Sequence, residues 1–368
     1  MKPRILMVTP RYLPEFGGVE THISHVIERL ASEYRFTVLT TDPTRCLPPR
    51  AVVGQATVLR VPAFPRTKDW LFAPALPRSI RQQQYDLLHV QNIATAVAPL
   101  ALWTSRPLAT PLVVTFHSGG HSSWLRRRLR APQWSILRRL VAQAQALVAV
   151  SPWERDILAR TLDVPLDRIT LIPNGADMPT PRLVSSDLFP GSYPLIVSAG
   201  RLHEYKGFHR VIRAFAVIAT ERASAHLVIC GQGPYEGALR HLVQSLSLET
   251  RVTFFHFSPA QRQAYADLLA RADVFALLST YESQGLAVLE ALALSTPVVV
   301  SDLPAFSQLA ADDAISRVPT TAGTDLIAAA LRSAAHIRVQ SLPLPTWNDC
   351  ASQLATLYDR ILREGSHS

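Results

Sequence analysis

Cysteine is scarce in this 368-residue chain. Its three residues, Cys46, Cys230 and Cys350, lie far apart, which excludes a disulfide framework and a Cys-x-x-Cys metal site. Long apolar runs are missing too. No stretch reaches the ~18 residues that a membrane-spanning helix needs, and no basic segment followed by a short apolar one marks a secretory start. The expectation is a cytosolic protein with reduced thiols. Charge is sparse at 18% against 48% apolar residues, so the chain is not globally disordered. Lysine is almost absent, with three residues against 34 arginines, and Asp-x-Asp occurs nowhere.

What charge there is lies unevenly. Residues 1–180 carry 22 basic against 12 acidic side chains, and residues 181–368 carry 15 against 16. The whole net charge of +9 therefore belongs to the first half. Such asymmetry fits contact with an anionic partner, and equally fits a merely soluble basic face.

Length alone predicts two domains, and the apolar pattern agrees. Arg4–Thr9, Phe36–Thr40, Leu87–Val90, Leu112–Phe116 and Ala146–Val150 read as buried strands separated by helical stretches. The rhythm restarts beyond a proline-bearing linker near 178–192, with strands at Leu195–Ala199, Ala225–Cys230, Val252–Phe257, Val274–Leu278 and Pro297–Ser301. Apolar strands alternating with helices predict parallel, doubly wound α/β sheets. We read two facing Rossmann-like domains, 1–178 and 190–345. A C-terminal helix within 346–368, carrying Leu354, Leu357, Ile361 and Leu362, packs back toward the first domain. Ligands of such sheets bind outside the strands' carboxyl ends, so the chemistry belongs in the loops after strands.

Five of those loops carry candidates. Pro14–His22 contains Gly17-Gly18 before a helix, a pair that permits positive φ and close backbone approach to an anion or simply makes a turn. Ser198–Gly207 offers Arg201 and Lys206, a fork of donors and a compact cation suited to a diphosphate. Ser279–Ala291 places Glu282 before a helix, Gly285 at its first turn and Glu290 inside it. Amides from Ser283 through Gln284 and Gly285 to Leu286 would face an anion. The two carboxylates, separated by roughly 12 Å of helical rise, would each grip a hydroxylated group. Glu290 has no basic neighbour in sequence, which counts against an ordinary surface role. Thr115–His121 brings His117 to a strand end before a glycine pair, and Ile172–Asp177 holds Asn174 in a turn before the linker.

Together these segments resemble the retaining glycosyltransferases of family four, which have the GT-B fold with a deep interdomain cleft. The resemblance runs through GGVETH, HSGG, VSPWE, IPNGAD, GRLHEYKG, GQGP, YESQGLAVLEALA and TPVVVSD, nearly the whole chain. It implies transfer of a sugar from a UDP- or GDP-sugar donor to a hydroxyl acceptor with retention, without a metal or other cofactor. Arg201 and Lys206 would neutralise the leaving diphosphate, Glu282 would bind donor-sugar hydroxyls and Glu290 the ribose. Gly17 and Gly18 would close over the diphosphate, Asn174 would line the substrate site, and His117 would assist the transition state. Positions that depart from the family pattern, His256, Gln284 and Gln91, bear on donor and acceptor preference.

The acceptor side of a GT-B enzyme is its N-terminal, here basic, domain. Trp124–Arg130 with Trp134 and Leu137–Leu140, and Arg66, Lys68, Trp70, Arg78 and Arg81, mix arginine with tryptophan and leucine, as interfacial membrane-binding segments do. Solvated helices with snorkelling arginines look the same. A lipid-linked or glycolipid acceptor in cell-envelope or polysaccharide synthesis, met by a peripheral enzyme at the inner membrane face, would suit this side. Nucleic acid is not expected, because no recognition module accompanies the arginines. A GT-B-like sugar-nucleotide epimerase and a non-catalytic sugar-nucleotide-binding subunit are the alternatives.

Overall fold

A computed structural model of the chain describes all residues except 16, 66–70, 109, 118–129, 183–188, 190, 308, 310–312 and 366–368. The chain divides into two compact units, Met1–Gly175 with Pro345–Ser368, and Ala176–Leu344.

The first unit is built on β1 (Arg4–Val8), β2 (Arg35–Asp42), β3 (Arg50–Val53), β4 (Ala56–Pro62), β5 (Leu87–Gln91), β6 (Leu112–Thr115), β7 (Ala146–Ala149) and β8 (Ile169–Leu171). They pair in the order β3-β4-β2-β1-β5-β6-β7-β8, and only β3 runs antiparallel to its neighbour. The four residues of β6 and the four of β7 are all buried, because a parallel sheet covered on both faces needs apolar strands throughout. The same rule explains what the sequence reading missed. β3 and β4 form an edge hairpin about Gly54, whose φ is +57°. Exposed and half-buried residues alternate along β3, and buried and half-buried ones along most of β4, so neither presents an apolar run. β8 is three residues long.

The second unit carries β9 (Leu195–Ala199), β10 (His226–Cys230), β11 (Val252–Phe255), β12 (Val274–Leu277), β13 (Val298–Ser301) and β14 (Ile315–Val318), in the order β11-β10-β9-β12-β13-β14. All are parallel. Alternate residues feed two separate cores, Ile196 into one and Leu195 and Val197 into the other, as the period of two along a strand requires.

Strand order reverses at β1/β5 in the first sheet and at β9/β12 in the second. At such a point the loops leave to opposite faces and open a crevice beyond the carboxyl ends.

The helix Trp347–Gly365 belongs to the first unit and packs against the helix Gly18–Leu30. Its buried face comprises Trp347, Cys350, Ala351, Leu354, Leu357, Tyr358 and Ile361, a stripe at helical spacing. Each large side chain in it contributes about 1.5–3 kcal/mol of burial free energy. Tyr34 donates to Asp359 at 2.6 Å and ties the helix down.

Candidate functional site

Two segments 75 residues apart meet where the second sheet reverses. The loop after β9 turns through Gly200, at φ +147°, and runs to Lys206. The loop after β12 holds Ser279 and Glu282. Backbone joins them, the Thr280 amide donating to the Tyr205 carbonyl at 2.8 Å. The glycines keep the approach open. A Cβ on Gly207, at φ +73°, would lie 2.0 Å from the Leu278 carbonyl oxygen, and one on Gly231 equally close to that of Gly200.

Lys206 Nζ and Glu282 Oε1 form an ion pair at 2.7 Å, both side chains largely buried. Ser279 Oγ donates to the same oxygen at 2.7 Å. Burial works against the Lys206 ammonium, but the Glu282 carboxylate outweighs it, so the lysine pKa lies above its ordinary value. Arg201 lies close enough to act on Lys206 as a like charge. Arg210 fastens this loop to its neighbours, donating to the Leu278 carbonyl and to Ser301 Oγ, each at 3.2 Å.

Gly285 caps the helix Leu286–Ala293 at φ +78°, and a Cβ there would meet the Phe306 ring at 2.4 Å. The first amides of the helix have no intrahelical partner by construction, and they follow directly on Ser283 and the buried Gln284. Glu290, on the same helix, is 5% exposed. It lacks a basic neighbour only in sequence: Arg262, 28 residues upstream, pairs with it at 2.8 Å. Tyr265 also bonds Glu290, and burial first, then that carboxylate, raises its phenol pKa.

The first unit assembles a second polar cluster. His117, at the end of β6 with φ +47°, packs edge-on against His22 with ring centroids 4.6 Å apart. Its Nε2 lies 2.8 Å from Gln91 Oε1. His22 Nδ1 meets Asn174 Oδ1 at 2.7 Å, so the turn residue Asn174 is a buried partner of the first helix. His89 is held by the hydroxyls of Tyr358 at 2.6 Å and Thr115 at 2.7 Å. Burial depresses the pKa of His22 to about 4 and of His89 to about 3, the latter aided by His22. Burial, then His22 and His89, pushes His117 well below the ordinary value. All three imidazoles are therefore neutral at pH 7.

Neither Gly17 nor Gly18 uses the positive φ that glycine permits. Gly17 is extended at φ −176° and Gly18 opens the helix. A Cβ on Gly18 would meet nothing within 4 Å, so neither backbone strain nor packing within the chain requires glycine there. Among the described residues, no group of three or more His, Cys, Asp or Glu side chains is arranged to hold a metal ion.

Two family models match almost end to end, Glycosyltransferase Family 4 over residues 16–178 and Glycosyl transferases group 1 over residues 181–338. The chain is a family 4 glycosyltransferase. It is 26% identical over 337 residues to the alpha-monoglucosyldiacylglycerol synthase of Streptococcus pneumoniae, covering 84% of this chain and 73% of that protein. Sucrose-phosphate synthase from Thermosynechococcus elongatus superposes with a TM-score of 0.77 at 20% identity, over 99% of this chain and 100% of that one. Anabaena Alr3699/HepE, solved with UDP and glucose, gives 0.75 at 17% identity over 97% and 99%. These neighbours share the GT-B fold of two parallel-sheet, Rossmann-like units.

Sequence reasoning on this glycosyltransferase named Gln91 only as a departure from the family pattern, and passed over Ser279, Arg262, Tyr265, His22, His89 and Tyr358. Ser279, His22 and His89 lie inside segments already singled out, and the placement of Ser279 three residues before Glu282 is a usable signal. Arg262, Tyr265 and Tyr358 reach their partners only through tertiary contact. Of the basic regions, 66–70 and 124–129 lie outside the described residues. The enzyme's Arg138 and Arg139 are exposed on the helix Arg130–Val141, where Leu137 and Leu140 are buried. Arg78 and Arg81 are exposed on the helix Leu76–Gln82. No helix among the described residues is long and apolar enough to cross a membrane.

Proposed function

We propose that this enzyme transfers a sugar, with retention and without a metal ion, from a UDP- or GDP-sugar to a hydroxyl of a lipid-linked or glycolipid acceptor. The observation that carries this reading is the buried Lys206–Glu282 pair at the reversal point of the second sheet. An ammonium and a carboxylate held together there offer one group to a diphosphate and the other to sugar hydroxyls. Arg201 and Lys206 neutralise the leaving diphosphate, and Glu282 with the amides of Ser283, Gln284, Gly285 and Leu286 binds the donor sugar and phosphate. Glu290, oriented by Arg262, takes the ribose. In the first unit, Gly17 and Gly18 leave room for the diphosphate, His117 contacts the transferred sugar and Asn174 supports it through His22.

The departing phosphate takes the acceptor proton, so no protein carboxylate need act as nucleophile. Fixed charge stabilises the oxocarbenium-like transition state. The absence of Asp-x-Asp supports metal independence, and transfer undiminished by a chelator is the expected result. A glycolipid acceptor is supported by the diacylglycerol-glycoside relative, and a UDP donor by the ligands of Alr3699/HepE. The basic first half suits an enzyme working peripherally on the cytosolic face of an anionic membrane.

The test is a donor-hydrolysis and transfer assay on Lys206→Ala, Glu282→Ala and the double variant. Removing one partner strands a buried charge at a cost of about 3–5 kcal/mol, so the single variants melt earlier and the double variant recovers. Activity falls by at least about 100-fold in all three. Turnover surviving in the stable double variant would overturn the site.

A further inference from the structure

The amide of Gln91 sits between two imidazoles, and its two ends face different rings. Gln91 and His89 stand two residues apart on β5 and share one face of the sheet, and both are wholly buried. The amide nitrogen of Gln91 lies 3.4 Å from His89 Nδ1 and 3.3 Å from His89 Nε2. Both ring nitrogens of His89 are already bonded to the Tyr358 and Thr115 hydroxyls, so this amide end, nearly equidistant from the two, rests on the face of the ring, where an N–H is accommodated and a carbonyl oxygen is not. The carbonyl end is thereby committed to His117 Nε2, at 2.8 Å. An amide oxygen only accepts. His117 must therefore carry its single proton on Nε2, which leaves Nδ1 as a bare acceptor.

We propose that Gln91 is a positioning residue that fixes the tautomer of His117, so that Nδ1 accepts a hydrogen bond from a hydroxyl of the transferred sugar. The inference rests on the reading that His117 contacts that sugar. A group that holds an imidazole in one tautomer is worth orders of magnitude in rate when the ring acts on substrate. The surroundings maintain the arrangement. His89 is anchored by Tyr358 and Thr115. His22, held by Asn174, stands edge-on to His117, with Cys350 Sγ 3.9 Å from His22 Nδ1. Among the described residues, the titratable groups of this cluster are His22 from the first helix and His89 from β5, with Cys350 against His22 and Tyr358 against His89 from the C-terminal helix. His22 and His89 both oppose a positive charge on His117.

The experiment is long-range proton–nitrogen NMR of histidine-labelled enzyme, alongside steady-state kinetics, on wild type, Gln91→Leu, Gln91→Glu and His117→Ala. In the wild type, His117 shows protonated Nε2 and bare Nδ1. Gln91→Leu loses that pattern, and kcat drops at least about tenfold while the donor KM moves less than about twofold. Gln91→Glu, nearly isosteric and able to fold where leucine is not tolerated, accepts the same proton but favours imidazolium. Its activity is suppressed near pH 6 and recovers as pH rises, whereas the wild type stays flat. A wild-type ring protonated on Nδ1, or a Gln91 variant with an altered tautomer and undiminished kcat, overturns the inference. Wild-type turnover in His117→Ala would instead remove the reading beneath it, so the two failures are distinguishable.

Discussion

At the residue scale, the three buried histidines make stability depend on acid in a defined direction. His22, His89 and His117 are neutral in the fold and bind a proton once the chain unfolds, because burial depresses their native pKa values. Stability is therefore complete above about pH 6.5. It falls as pH drops toward about 4 for His22 and about 3 for His89, at about 1.4 kcal/mol per pH unit for each histidine. Replacing His22 with glutamine removes one of these protons. The pH dependence of the urea midpoint between pH 6.5 and 4.5 should then be shallower in His22→Gln by about a third of the histidine contribution. Identical slopes would mean that His22 is solvated and protonated in the native enzyme. His117 was legible in sequence from its position at a strand end, but the neutral cluster around it was not. Two of its partners come from residues more than 150 positions away, Asn174 on His22 and Tyr358 on His89.

At the element scale, the helix Trp347–Gly365 is the clearest case of a legible element with an unreadable task. Apolar residues at Leu354, Leu357 and Ile361 mark its buried stripe directly. That Tyr358 and Cys350 on the same stripe would reach the histidines required the fold. Leu354 is fully buried and Arg360 is exposed. We therefore expect Leu354→Ala to cost about 2–5 kcal/mol, and Arg360→Ala to stay within about 0.5 kcal/mol of wild type. Chemical denaturation followed by fluorescence measures both, and equal effects would contradict the packing. The β3–β4 hairpin is the converse case. Its alternating exposure hides it from any search for apolar runs, and only its pairing with β2 identifies it.

At the scale of the whole molecule, the chain leaves the first unit at Gly175 and returns to it at Pro345. The second unit is thus an insertion between the body of the first and its final helix. The basic excess stays with residues 1–180. Counterion release and attraction to anionic lipid contribute about 1 kcal/mol per arginine near a surface and weaken with salt. The enzyme should co-sediment with vesicles containing anionic lipid at low salt and not with neutral vesicles. Equal recovery from both would leave the positive charge as a solubility feature only.

Composition and motif order by themselves determined two α/β units and the family, since buried parallel strands must be apolar and loops after strands must carry the polar groups. They also located Lys206, Glu282, Gly285 and Glu290, each made conspicuous by local context. Only the tertiary structure decided which groups pair. The reversal of strand order at β9/β12 joins Lys206 to Glu282, and packing of the helix Arg262–Arg271 supplies Arg262 to Glu290. Contact between side chains far apart in sequence depends on the packing of whole elements, which no local pattern encodes.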